Sequence, residues 1–285
     1  MALSDIAEIL FAGRWIAGPT IEDTVKRSAE LNRAGIGAIV NYLGEGFTEA
    51  EDVKKTVSIY KDLASRLHEA GAIASISLKP TQIGMDISEQ TAAKNYKSIA
   101  GICRKYGIFV WLDMEEHEFV DRTISLYMDE VEKGGVGICI QSYLRRSSRD
   151  VDAIIKAGGV IRLVKGAYSE NAEIAYQSRP ETTKNYRRLM HRLFESGGRF
   201  MIATHDTNII AEAFALEKKH KVHVEYAMLN GIKNRYAAGM AHSGKKVYLY
   251  LPFGRRWIKY TYRRFKEMGN FMLVARSLFE NQKID

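Results

Sequence analysis

Polar and charged residues punctuate a series of short apolar runs in this chain. Lys79 follows the run 73–78. Asp113 closes the run 108–113 and leads into Met114-Glu115-Glu116. Gln141 lies within 136–142, and Arg162 within 160–164, which continues into Lys165-Gly166-Ala167-Tyr168. Thr204-His205-Asp206 ends the run 200–204, Leu229-Asn230-Gly231 follows 222–226, and Tyr250 lies near the end of 246–251. Several have ordinary explanations. A lysine after a strand is commonly solvated, Asp113 suits a helix N-cap, and Thr204-His205 suits a hydrogen-bonded turn. Gln141, Arg162 and Lys165 are harder to dismiss, because uncompensated burial of such groups is costly. One chemistry open to the set is that of a lysine, Lys165 or Lys79, acting as a Schiff-base nucleophile. Further on, Tyr260, Arg263, Arg264 and Glu267 share one face of a helical pattern that also carries Trp257. Paired arginines beside a tyrosine suit a carboxylate, which guanidinium binds bidentately; a solvated basic helix with an Arg–Glu pair is the plainer alternative.

The apolar runs are rich in Ile and Val, as buried parallel strands are. Eight are present: 36–43, 73–78, 108–113, 136–142, 160–164, 200–204, 222–226 and 246–251. Amphipathic helical patterns separate them, at 48–69, 88–106, 117–132, 148–157, 182–196, 207–218, 231–241 and 256–268. Eight strand–helix units over this length predict a (β/α)8 TIM barrel, preceded by an N-terminal helical segment at 4–11 and 22–34. The rival, an open doubly wound sheet, would need a glycine-rich turn after its first strand. Gly35–Gly37 precedes a strand instead. In a barrel, all the polar groups above open onto one face, at the C-terminal ends of the strands. A non-catalytic binding module would have little use for them. The expected organisation is one domain over 1–285, with helices in 1–35 and the barrel in 36–285.

Composition narrows the reading further. The chain has 285 residues, 46% of them hydrophobic and 27% charged, in the range of ordinary globular proteins. Cys103 and Cys139 cannot form a disulfide framework, and neither has ligands at metal spacing, so no metal is expected. The first residues carry Asp5 and Glu8 and lack a basic n-region, so no signal peptide is expected, and no run is long enough to span a membrane. The balance of 42 basic against 34 acidic residues gives a net charge of +8. With no arginine-rich arm or zinc finger, nucleic acid is not an expected partner.

The motifs together resemble the proline dehydrogenase (proline oxidase) family of flavoenzymes, from the first strand onward. They run Leu43-Gly44-Glu45, Ser77-Leu78-Lys79, Leu112-Asp113-Met114-Glu115, Gln141-Ser142-Tyr143-Leu144, Ile161 through Tyr168, Thr204-His205, Leu229-Asn230-Gly231, Tyr250 through Gly254, and Tyr260-x-x-Arg263-Arg264-x-x-Glu267. Two departures stand out: Asn41 where the family usually has Asp, and Asn230 where some members have His.

The resemblance implies a distorted (β/α)8 barrel that holds FAD. The implied reaction is oxidation of L-proline to 1-pyrroline-5-carboxylate by hydride transfer to flavin N5, with electrons passed to a quinone. With no room for a fused aldehyde dehydrogenase, a monofunctional form is expected. The resemblance gives Asp113 and Arg162 catalytic roles, Asp113 ordering Lys79 and the substrate. It assigns Met114, Gln141, Arg162, Lys165, Gly166, Ala167, Thr204, His205 and Glu267 to the flavin, Glu267 meeting the ribose or pairing with an arginine. Lys79, Tyr168, Leu229, Tyr250, Tyr260, Arg263 and Arg264 fall to the substrate. A cytoplasmic location is expected, with peripheral contact at the inner face of an anionic membrane, where a quinone would be met.

Overall fold

The computed structural model describes residues 15–256. The segment 4–11 and the helical pattern carrying Trp257, Tyr260, Arg263, Arg264 and Glu267 lie outside the described residues. Eight parallel strands close into a barrel in sequence order: β1 (Ile36–Tyr42), β2 (Ala74–Leu78), β3 (Phe109–Leu112), β4 (Val136–Gln141), β5 (Ile161–Val164), β6 (Phe200–Ala203), β7 (Glu225–Leu229) and β8 (Lys246–Phe253), with β8 paired back onto β1. Around them lie α1 (Ile21–Arg33), α2 (Ala50–Glu69), α3 (Glu89–Lys105), α4 (Val120–Val131), α5 (Ser147–Lys156), α6 (Arg179–Ser196), α7 (Thr207–His220) and α8 (Asn234–His242). This is the (β/α)8 barrel that the strand–helix count predicts.

The seventh strand corrects its sequence-based position, lying three residues downstream of 222–226. Val222 and Val224 attracted the expectation, yet Lys221 closes α7 in the left-handed region at φ 55°, and the Val224 N–H donates to the Glu217 carboxylate at 3.0 Å. The chain is therefore still turning at Val224, and only from Glu225 do its backbone groups join the β6 and β8 ladders.

Side chains alternate between the two faces of each strand. One set, including Val40, Leu78, Leu112, Ile140, Leu163 and Leu249, packs outward against the helices in a continuous apolar layer. The other set points inward. There Ile39, Trp111, Met201 and Ala227 form a buried cluster, flanked by Phe109, Tyr248 and Tyr250. Large inward residues stand beside glycines on the neighbouring strand. Trp111 pairs in register with Gly137, and Tyr248 with Gly37. A Cβ on Gly137 would lie 2.5 Å from the Trp111 ring, and one on Gly37 2.4 Å from the Tyr248 ring. The interior is thus filled by rings lying across glycine gaps.

Helix α1 begins with a capping box, the Thr20 hydroxyl accepting from the Asp23 N–H and the Asp23 carboxylate accepting from Thr20. It packs against β1 and β8, on the outer seam where the last helix of a regular barrel would close the ring. The helix at Ile21–Arg33 therefore lies against the barrel wall.

These contacts set opposite expectations for two glycines. Gly137→Ala should cost about 1–3 kcal/mol of stability by forcing Trp111 to move. Gly101→Ala, in α3 with nothing within 4 Å of the added carbon, should gain about 0.5–1 kcal/mol. Denaturant unfolding of both variants checks this, and equal shifts would contradict the packing described.

Candidate active site

The inward positions nearest the C-terminal ends of the strands are polar, and they surround a cavity of about 370 Å³ at the barrel mouth. Lys79, Asp113, Met114, Gln141, Arg162, Lys165, Gly166, Ala167, Tyr168, Thr204, His205, Leu229 and Tyr250 all line it. Tyr260, Arg263, Arg264 and Glu267 lie outside the described residues.

The floor of the cavity is an ion pair. Arg162 on β5, 3% exposed, donates from Nη2 to Asp113 Oδ1 and to Ser77 Oγ at 3.0 Å, and from Nε to Cys139 Sγ at 2.9 Å. Its guanidinium lies 5.2 Å from the centre of the Trp111 ring and 5.5 Å from that of Tyr250. Asp113 accepts further hydrogen bonds from Ser77 Oγ at 2.7 Å, Cys139 Sγ at 3.3 Å and the Tyr250 hydroxyl at 2.9 Å. Two buried side-chain atoms at the cavity have no hydrogen-bond partner among the described residues. They are Arg162 Nη1 and Gln141 Oε1, whose amide nitrogen donates to the Met114 carbonyl at 3.3 Å.

Lys79 stands to one side. Its ammonium meets Glu45 at 2.7 Å, the Tyr168 hydroxyl at 2.9 Å and Glu115 at 3.8 Å. The expectation that Asp113 orders Lys79 is therefore corrected: the cation that Asp113 orders is Arg162, and Glu45 and Glu115 flank the lysine. Glu115 also accepts from the Thr81 N–H at 3.0 Å and hydroxyl at 2.8 Å. Burial pushes its carboxyl up to about 7, against Lys79 and Thr81, which favour its charged form.

On the far rim, Lys165 pairs with Asp206 at 3.1 Å and reaches the Thr183 hydroxyl at 3.3 Å. Asp206 caps α7, and the Thr204 hydroxyl accepts from its N–H at 3.1 Å. The Leu229 N–H donates to His205 Nε2 at 2.9 Å. Gly166 has φ +106°, and a Cβ there would lie 2.0 Å from the Tyr143 ring, so that ring and the backbone conformation both exclude a side chain. Asn41, the departure in the first motif, spends its amide on the Ser77 carbonyl at 2.9 Å and Tyr60 at 3.4 Å.

Sequence reasoning missed Ser77, Cys139, Trp111, Glu45 and Glu115 as site residues. Strand alternation carried the signal for three of them. Ser77, Trp111 and Cys139 lie two residues before Lys79, Asp113 and Gln141, and so face inward with them.

A model of the proline dehydrogenase family matches residues 24–272. The chain belongs to this family. It is 33% identical to proline dehydrogenase 1 of Bacillus subtilis (strain 168) over 264 residues, which cover 90% of this chain and 87% of that protein. It is also 33% identical to proline dehydrogenase of Deinococcus radiodurans over 265 residues, covering 90% and 86%. Among solved structures it resembles proline utilization A from Bdellovibrio bacteriovorus inactivated by N-propargylglycine, with a TM-score of 0.88 at 21% identity, covering 99% of this chain and 35% of that one. The proline utilization A mutant D778Y of Bradyrhizobium japonicum gives 0.77 at 21% identity, covering 95% and 32%. The chain thus spans about a third of the length of these structures, and the likeness is one of fold. Family membership supports proline oxidation, the first step of proline catabolism, as the activity. Among the described residues no helix is long and apolar enough to cross a membrane.

The raised Glu115 carboxyl makes stability depend on pH. A folded value of about 7 against an ordinary 4.5 means that the folded state holds a proton which the unfolded state has lost. The contribution is complete below pH 4.5 and is lost as pH rises through about 7. Glu115→Gln removes this loss, so its stability relative to the parent should rise across that window by on the order of 2–3 kcal/mol. Urea unfolding at both ends of the window checks this, and a pH-independent difference would contradict it.

Proposed function

We propose that this chain oxidises L-proline to 1-pyrroline-5-carboxylate with a bound FAD and passes the electrons to a quinone. The observation that carries the proposal is the pair of buried, unpartnered atoms at the cavity, Arg162 Nη1 and Gln141 Oε1. A donor and an acceptor left over in this way are costly unless something meets them. They suit the polar edge of an isoalloxazine, which offers carbonyl oxygens, ring nitrogens and an N–H, so the residues present fit a flavin. Met114, Gln141, Arg162, Lys165, Gly166, Ala167, Thr204, His205 and Glu267 would hold it. When bound, the flavin supplies N5 as hydride acceptor for the proline carbon beside the ring nitrogen.

The chain's own residues have three tasks in this reading. Lys79, Arg263 and Arg264 anchor the substrate carboxylate. Three cations around one anion disfavour a further positive charge, which leaves the proline nitrogen neutral with its lone pair free. Tyr168, Leu229, Tyr250 and Tyr260 wall the ring. Asp113 already accepts from Arg162, Ser77, Cys139 and Tyr250, so its role would be to hold that cation and the ring-facing tyrosine in place. A guanidinium lining the cavity would favour the anionic form of a reduced flavin held there. In this reading residues 1–285 work as one barrel domain, and the net charge of +8 favours meeting the quinone at an anionic membrane.

Aldolase chemistry is less well supported. Lys79 and Lys165 are each engaged with a carboxylate, whereas a Schiff-base lysine must present a free amine.

The purified chain should be yellow and release FAD on denaturation. L-proline added without oxygen should bleach it, and a quinone should restore the colour. A colourless chain that takes up no flavin would contradict the proposal. Arg263→Met or Arg264→Met should weaken proline binding by roughly ten- to a thousandfold, the loss expected of a charge-assisted, desolvated contact, with flavin still bound. Proline affinity within about twofold of the parent in both variants would place the carboxylate elsewhere.

A further inference from the structure

Arg162 is held by aromatic rings and by hydrogen bonds, which act differently. Its guanidinium carbon lies over the rings of Trp111 and Tyr250, 5.2 and 5.5 Å from their centres. Such contacts attract the charge but do not fix where each N–H points, because attraction to a ring face is not tied to one donor atom. The hydrogen bonds settle that. Nη2 meets Asp113 and Ser77, and Nε meets Cys139 Sγ, so that only Nη1 is left over.

Two of these edge partners are built alike. The Ser77 hydroxyl accepts from Arg162 and donates to Asp113 Oδ1 at 2.7 Å, and the Cys139 thiol accepts from Arg162 and donates to the same oxygen at 3.3 Å. They stand on either side of the ion pair, on β2 and β4, and Cys139 is the direct register partner of Arg162. Burial raises the Cys139 thiol well above its ordinary range, so it keeps the proton it donates.

We propose that Cys139 is a positioning residue for proline oxidation: its thiol bridges Arg162 Nε and Asp113 Oδ1 and so fixes the guanidinium with Nη1 turned to the flavin. The proposal rests on the reading of the cavity as a flavin site. Sulfur is a weak acceptor, so the bridge sets direction while drawing little of the guanidinium's charge away from the cavity. Serine in its place keeps a donor and an acceptor on a shorter arm, while alanine loses both and leaves the Nε–H buried and unpaired.

Two variants and a spectroscopic signature test this. Cys139→Ser should stay within about threefold of the parent in flavin affinity and turnover. Cys139→Ala should lose about tenfold in both, with the KM for proline within about twofold, since the thiol does not touch the substrate carboxylate. In the flavin-free chain, the infrared S–H stretch that Cys139→Ser removes should lie below that of Cys103, which is buried in the apolar layer. Asp113→Asn should move it upward. Parental flavin affinity and turnover in Cys139→Ala would overturn the proposal, as would an S–H band coincident with that of Cys103. Should the alanine variant fail to fold, the band and the serine variant decide the matter. A parent chain that takes up no flavin would overturn the reading of the cavity, and the band alone would then decide whether the bridge exists.

Discussion

A guanidinium and a carboxylate meet at the floor of the barrel mouth, and the arrangement around them follows from the need to keep both charges there. A buried ion of either sign carries a desolvation cost of several kcal/mol, which one contact to its opposite does not offset unless the remaining hydrogen-bonding atoms are also met. Arg162 and Asp113 share two bridging groups, Ser77 and Cys139, and a lid, Tyr250. Four strands are committed by this: β2, β4, β5 and β8 each supply one member, while Asp113 directly follows β3. A change in register at any of them would move a polar residue out of the cluster, since a slip by one residue turns a strand's side chains to the other face. The site and the barrel closure are therefore one constraint.

The layers below follow from it. Trp111 lies beneath Arg162 and needs the space above Gly137, so a strand that supplies Cys139 and Gln141 to the site must also supply a glycine two residues earlier. Charge is graded across the mouth in the same way. Lys79 lies between Glu45 and Glu115, Lys165 beside Asp206, and Arg162 on Asp113. Each cation thus keeps a carboxylate while facing the cavity, an arrangement suited to an anionic or electron-rich ligand.

Much of this was legible in the sequence, for reasons that are local. A buried parallel strand is a short apolar run, and a polar residue at its C-terminal end has few places to go except the mouth; Lys79, Asp113, Gln141 and Arg162 were found on that ground. Two features were not local. Val222 and Val224 have strand-like side chains, and only the left-handed turn at Lys221 and the bond from Val224 to Glu217 keep them out of the ladder. Pairing across the barrel was also hidden. Asp113 could have met many partners, and its choice of Arg162 follows from the strand order, which sets β3 and β5 on either side of β4. Cys139 was passed over because a cysteine lacking metal-ligand spacing looks inert, although its place two residues before Gln141 put it on the inward face.

The central claim is that Arg162, held by Asp113, keeps its Nη1 amino group for a flavin and favours its reduced form. Redox titration of the bound flavin in the parent and in Arg162→Lys tests it most directly, since lysine keeps the positive charge facing Asp113 but lacks the planar fork. The account predicts that the lysine variant folds and that its flavin potential falls by about 30 mV or more, which is a tenfold loss in relative affinity for the reduced form. A potential unchanged from the parent, with flavin bound equally well, would contradict it.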